Sequence, residues 1–183
     1  MQKIAITGNI ASGKSTVENI IKDYGYNVYD TDKIAHEILN NSTEIKKHFG
    51  TTDRKEIAKI VFNDSKKLKE LESIIHPQVK LELEKIFSNT QNIVFVSVPQ
   101  LFETGFNSMF DKIIFVSADT GIRMQRLMKR NNLTKEEALK RIQAQEFEEE
   151  KIKKSDFIII NNNDITELKP QVKNILKQLI PVR

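Results

Sequence analysis

Gly8-Asn9-Ile10-Ala11-Ser12-Gly13-Lys14-Ser15-Thr16 matches G-x-x-x-x-G-K-[ST] at every fixed position, the pattern of a loop that cradles phosphate groups. Upstream, Lys3 to Thr7 reads as a short buried strand through Ile4, Ala5 and Ile6; downstream, Val17, Ile20 and Ile21 recur at helical spacing. Strand, glycine-bounded loop and helix follow in the order the motif requires. Gly8 and Gly13 have no Cβ, so the backbone there can adopt positive φ and approach a phosphate closely. The loop N–H groups and the following helix N-terminus present partial positive charge to an anion. Lys14 is expected to reach the β- and γ-phosphates, and the Ser15 hydroxyl to bind Mg²⁺.

A chain of 183 residues suits one core domain with modest insertions. Its 39% hydrophobic and 30% charged content fits a soluble globular protein. The longest apolar runs, such as Ile113 to Val116, are far too short to span a bilayer. The first strand begins almost at once, so no signal peptide and no membrane association are expected. There is no cysteine, which removes disulfides and cysteine-ligated zinc and agrees with a cytoplasmic location. The net charge of +4 fits a nucleic-acid partner or a polyanionic small substrate equally. Lys66 to Glu72 and Lys80 to Lys85 mix both signs, as solvated helix faces do.

Five strand-like runs stand out: Lys3 to Thr7, Asn27 to Asp30, Ile93 to Val98, Ile113 to Ser117 and Phe157 to Asn161. The last three are almost continuously apolar, as expected of parallel strands buried on both faces. Alternation with helical patterns predicts an α/β fold, a five-stranded parallel sheet flanked by helices. Residues 33–90 read as a helical insertion over the carboxyl edge of the sheet, where a substrate would lie. Leu168, Val172, Ile175, Leu176 and Leu179 form the stripe of a closing helix. A second insertion, 123–154, contains the capping signature Thr134 to Glu137 with Leu133 as staple. Seven basic residues face two acidic ones between Arg123 and Arg141, with Arg123, Arg126 and Arg130 on one helical face. Alone this reads as a solvated helix; beside a phosphate loop it reads as a lid. The expected organisation is one domain, 1–183, with a core of 1–32, 91–122 and 155–183.

The motif covers GTPases, ATPases and small-molecule kinases. No aspartate has glycine at the third following position and no N-K-x-D occurs, which weighs against a GTPase. The third strand ends Val96-Ser97-Val98-Pro99-Gln100 without an acid before Glu103, which weakens the ATPase readings. The better acids are Asp30 and Asp32 at the end of the second strand. An aspartate there can take the proton of an attacking hydroxyl, or simply cap the helix through Ile34 and Ile38. Both roles stay open on the residues alone.

Several motifs, in order, carry a resemblance. They are the phosphate loop, Asp30-Thr31-Asp32-Lys33-Ile34-Ala35, Ile75-His76-Pro77, and Val98-Pro99-Gln100-Leu101-Phe102-Glu103. Arg126-Leu127-Met128-Lys129-Arg130, Arg141-Ile142-Gln143-Ala144-Gln145, and Ser155-Asp156 to Asn161 follow. Together they cover nearly the whole chain and resemble the dephospho-CoA kinase family. The resemblance implies transfer of the ATP γ-phosphoryl to the ribose 3′-hydroxyl of dephospho-CoA, the last step of coenzyme A synthesis. It implies a nucleotide-kinase core, a helical CoA-binding region and a lid.

It also implies roles. Gly8, Ala11, Ser12, Gly13, Lys14, Ser15, Thr16 and Asn161 would contact ATP, with Ser15 on Mg²⁺. Asp32 would accept or orient the hydroxyl, with Lys14, Arg130 and Arg141 completing the catalytic set. Asp30, Asp32, His76, Pro77, Leu101, Phe102 and Glu103 would face the acceptor, His76 and Pro77 from a turn that opens a helix. Asn9 and Ala11 stand where the family has glycine, Arg123 where glutamine is common, and Thr51 to Arg54 is shortened. The partners implied are ATP and dephospho-CoA, for a monomer or weak homo-oligomer without nucleic acid. Another small-molecule kinase is the nearest rival. A nucleic-acid-binding ATPase is the rival from another class, disfavoured because no aromatics interleave the basic residues.

Overall fold

A computed structural model of the chain describes residues 1–62, 64–145 and 148–179. Two compact units result, residues 1–29 with 93–183, and residues 30–92.

The first unit is built on a five-stranded parallel sheet. Its strands are β1 (Gln2–Gly8), β2 (Val28–Asp30), β3 (Ile93–Ser97), β4 (Lys112–Ser117) and β5 (Phe157–Ile160), each within one residue of its expected limits. The sheet order is β2-β3-β1-β4-β5. β1 is therefore central, with β3 and β4 parallel to it on either side. The chain reverses its progress across the sheet at this strand, and ligands of open α/β sheets bind beyond such strand ends. Ile4, Ala5 and Ile6 are wholly buried; each isoleucine contributes roughly 1.5–3 kcal/mol by leaving water. Ile4 and Ile6 pack with Val17, Ile20 and Ile21 of α1 (Lys14–Asp23) and with Leu168, Val172 and Ile175 of α9 (Ile165–Leu179).

β5 corrects one expectation. It is an edge strand, and only Ile159 is buried; Ile158 and Ile160 are 36% and 55% exposed. Apolar content predicted burial on both faces, but α9 covers one face alone. The Gln171 side chain accepts from the Ile160 N–H and donates to the Ile160 carbonyl, both at 2.9 Å. That amide occupies the edge groups another strand would pair with.

The same unit holds α6 (Thr120–Asn131), α7 (Lys135–Gln143) and the short α8 (Glu148–Lys153). α7 opens with both bonds of a capping box between Thr134 and Glu137. Leu127, Ala138 and Ile142 form an apolar cluster with Leu133, and Ile10 and Ala11 of the phosphate loop pack against it.

The second unit is helical: α2 (Thr31–Asn41), α3 (Thr43–Phe49), α4 (Arg54–Val61) and α5 (Ser65–Ser88). Asp30, Ser42, Asp53 and Asp64 each cap a helix through a side-chain oxygen, which satisfies N–H groups the helix leaves unpaired. Leu39, Ile45, Ile57 and Leu71 make the core. His76 and Pro77 do not open a helix here; both lie inside α5. Proline removes one helical bond, but buried Leu71, Val79 and Leu83 on either side hold the helix continuous through it. No helix among the described residues is long and apolar enough to cross a membrane.

Candidate phosphate-binding site

The loop between β1 and α1 has the shape its glycines predict. A Cβ on Gly8 would stand 2.5 Å from the Val116 carbonyl oxygen, and Gly13 has φ +89° as the N-cap of α1. Gly13 has no side chain to cap α1, and the first turn holds no acid. The Thr16 N–H bonds back to the Gly13 carbonyl at 2.9 Å, but no side-chain cap or first-turn acid offsets the helix dipole where it meets the loop, the condition that favours an anion. Ala11 takes φ 61°, a left-handed conformation that costs an L-residue roughly 1–2 kcal/mol.

Lys14 Nζ lies 2.7 Å from Glu18 Oε1 and also bonds Ser97 Oγ at the end of β3. Ser97 thus stands beside the ammonium at a strand end that carries no acid. Ser15 is exposed on the first turn of α1 and Thr16 is half-buried beside it. Asn9 Oδ1 and Ser12 Oγ are the buried side-chain atoms without a hydrogen-bond partner among the described residues. Buried polar atoms are normally satisfied, and a serine hydroxyl can donate to an anion.

Two arginines of α6 grip the outer side of the loop. Arg126 donates to the carbonyls of Ala11 at 3.4 Å and Ser12 at 3.2 Å, and to Asn161 O at 2.9 Å. Asn161, buried just past β5, donates from Nδ2 to the Ser12 carbonyl at 2.8 Å. Arg123 is 3% exposed; it donates to the Ile10 carbonyl at 3.0 Å and pairs with Glu148 at 3.0 Å. Burial lowers its pKa from the ordinary arginine value, and the Glu148 charge opposes that. Gln145 Oε1 accepts from the Ile10 N–H at 2.7 Å. The basic stripe therefore differs along its length: Arg123 is buried, Arg126 half-buried, and Arg130 exposed, donating to Asn131 Oδ1. Arg141 is also exposed, near Glu137.

Leu101 is wholly buried and Glu103 pairs with the buried Lys151. Phe102 lies under Lys154, 6.0 Å from Nζ to the ring centroid. In the second unit, Asp30 Oδ1 accepts from the Asp32 N–H at 2.9 Å. Asp30 is therefore the cap of α2, and Asp32 is an exposed carboxylate in its first turn. His76 is half-buried and Pro77 exposed.

Residues 2–167 match the family model described as dephospho-CoA kinase. The chain belongs to the dephospho-CoA kinase family. Its sequence is 37% identical to the dephospho-CoA kinase of Listeria monocytogenes, over 97% of this chain and 96% of that one. The solved dephospho-CoA kinase of Campylobacter jejuni superposes with a TM-score of 0.74 at 32% identity, over 96% of each chain. Shikimate kinase from Bacteroides thetaiotaomicron, at 15% identity and a TM-score of 0.60, shares the fold. Members of a kinase family carry out nucleotide-dependent phosphoryl transfer.

Contacts to the loop and to Lys14 that the sequence motifs do not announce come from Glu18, Ser97, Arg123, Gln145 and Glu148. Glu18 was legible in principle, four residues beyond Lys14 on the same helix. Ser97 was a lone polar residue in an apolar run. Arg123 with Glu148 carried no local signal, because the pair joins segments 25 residues apart in sequence.

Proposed function

We propose that this chain is an ATP-dependent dephospho-CoA kinase that phosphorylates the ribose 3′-hydroxyl and releases CoA and ADP. The observation that carries the reading is a phosphate loop whose left-handed Gly13 opens α1 directly at Lys14, in a chain that matches the family nearly end to end.

The donor half rests on the first unit. Backbone N–H groups where the loop enters α1, with the Lys14 ammonium, hold the phosphates, while Gln145 and Asn161 brace the loop from behind. Ser15 supplies a hydroxyl oxygen, and no group of three or more His, Asp or Glu gathers among the described residues. That donor set fits Mg²⁺, which keeps waters and takes most remaining ligands from substrate phosphates. When bound, Mg²⁺ neutralises charge on the β- and γ-phosphates. Asp32 is the residue we assign to accept the hydroxyl proton; Asp30 holds the helix that bears it. Arg130 and Arg141, both exposed at the surface, stabilise charge spreading over the transferred group. Residues 33–90, including His76 and Pro77, and the segment Leu101 to Glu103 hold the acceptor, and 123–154 is the lid of a single kinase domain. We place the enzyme in the cytoplasm as a monomer or weak homo-oligomer.

Coupled ADP release over an acceptor panel tests the reading. Dephospho-CoA should be turned over in preference to nucleoside monophosphates and shikimate. Preference for a nucleoside monophosphate would replace it with the rival kinase assignment.

A further inference from the structure

α8 is only six residues long, yet it touches two parts of the first unit that the proposed reaction uses differently. Glu148 and Lys151 are three residues apart and so share one face of the helix. The Glu148 carboxylate accepts from Asn9 Nδ2 at 3.2 Å, from Arg123 Nη1 at 3.0 Å and from Ser117 Oγ. Arg123 in turn donates to the Ile10 carbonyl of the phosphate loop and to Gln145 Oε1. One turn on, Lys151 ion-pairs with Glu103, and Lys154 lies over the Phe102 ring.

These are not the exposed ion pairs that contribute little to a fold. Arg123 is 3% exposed and Lys151 4%. A buried pair that loses one partner leaves an uncompensated charge, so Glu148 and Lys151 are each held to their geometry. The rise between Glu148 and Lys151 is set by the helix at about 4.5 Å.

We propose that α8 is a strut: Glu148 fixes the phosphate loop through Asn9 and Arg123, Lys151 fixes Glu103, and the helix sets the register between the two. Glu148, Arg123 and Lys151 are positioning residues for the reaction. The assignment of Phe102 and Glu103 to the acceptor side rests on the proposed kinase function, whereas the link from Lys151 to the phosphate loop does not.

The test therefore reads the loop from the far end of the strut. Lys151→Met removes the ammonium and keeps the stem; ADP binding with Mg²⁺ is measured by calorimetry in the full chain, without acceptor. The strut predicts an ADP Kd raised roughly three- to tenfold, the range of coupling between contacting networks, with Lys151→Arg recovering much of it. Partial unfolding would instead lower the binding stoichiometry at unchanged Kd. If Lys151→Met fails to fold, Glu103→Gln, which leaves Lys151 in place but unpaired, should raise the ADP Kd in the same way. A Kd within twofold of wild type in the folded variants overturns the strut. Wild type that binds ADP but does not phosphorylate dephospho-CoA overturns the kinase reading alone.

Discussion

A β-carbon on Gly13 would stand 1.9 Å from the Nδ2 of Asn161. That nitrogen donates to the carbonyl of Ser12, the residue before Gly13, at 2.8 Å. The end of β5 thus presses directly on the turn that opens α1. Gly13→Ala has to displace Asn161 and hold φ +89° with a side chain, a strain of roughly 1–2 kcal/mol before the collision is counted. We expect ADP affinity to fall about a hundredfold, measured by calorimetry; unchanged affinity would mean that Asn161 gives way freely.

Ala11 has the opposite problem. It holds φ 61° with a Cβ already present. Ala11→Gly should relieve strain of about 1–2 kcal/mol and lose about 0.4–1 kcal/mol to the freer unfolded chain. A melting temperature higher by roughly 1–3 °C is expected. A lower one would mean that packing against Leu127 and Ala138 outweighs the backbone strain.

Asp30 and Asp32 separate by substitution. Asp30→Ala loses the α2 cap and should cost about 1 kcal/mol in urea unfolding, while Asp30→Asn should cost little. Asp32→Asn should lower turnover by roughly 10²–10⁴-fold, the range for a lost general base, with ADP affinity nearly unchanged. Near-normal turnover would remove Asp32 from the proton-accepting role.

Arg130→Ala should reduce the rate by about 10³-fold if this arginine reaches the transferred phosphoryl group. Its exposure predicts no loss of melting temperature. A rate within a few-fold of wild type would leave Arg130 as a solvated residue on α6.

The α7 capping box sets an acid dependence. Bonds from the Thr134 backbone and side chain hold the Glu137 pKa below its ordinary 4.5. A depressed carboxylate stabilises the fold above the ordinary value, and that contribution is lost as pH falls through the depressed one. Glu137→Gln should therefore lower melting temperature at neutral pH, with the difference from wild type shrinking below the ordinary carboxylate value and closing only below the depressed one. A difference that persists unchanged into acid would show that the charge plays no part.

The sheet was legible because each strand advertises itself locally. Ile4 to Ile6, Val94 to Val96 and Ile113 to Val116 are unbroken apolar runs, and burial on both faces leaves no alternative for them. β5 misled because a run of isoleucines does not say how many of its faces are covered. Pro77 misled in a similar way, since a proline that usually marks a helix start is tolerated inside α5, where flanking buried residues hold the helix.

The phosphate loop was determined by the sequence itself: its glycine spacing dictates backbone shape over nine consecutive residues, and strand and helix flank it without help from distant segments. The hydrogen bonds that hold the loop in place were decided only by tertiary structure. Arg123, Glu148, Gln145 and Asn161 come from the far half of the chain and meet Asn9, Ile10 and Ser12 because β1 lies beside β4 and β4 beside β5. A charge in a helical stripe looks alike in sequence whether it faces water or a carbonyl. Arg123 and Arg130 are seven residues apart on one face, and the packing of α6 against the loop left one buried and the other exposed.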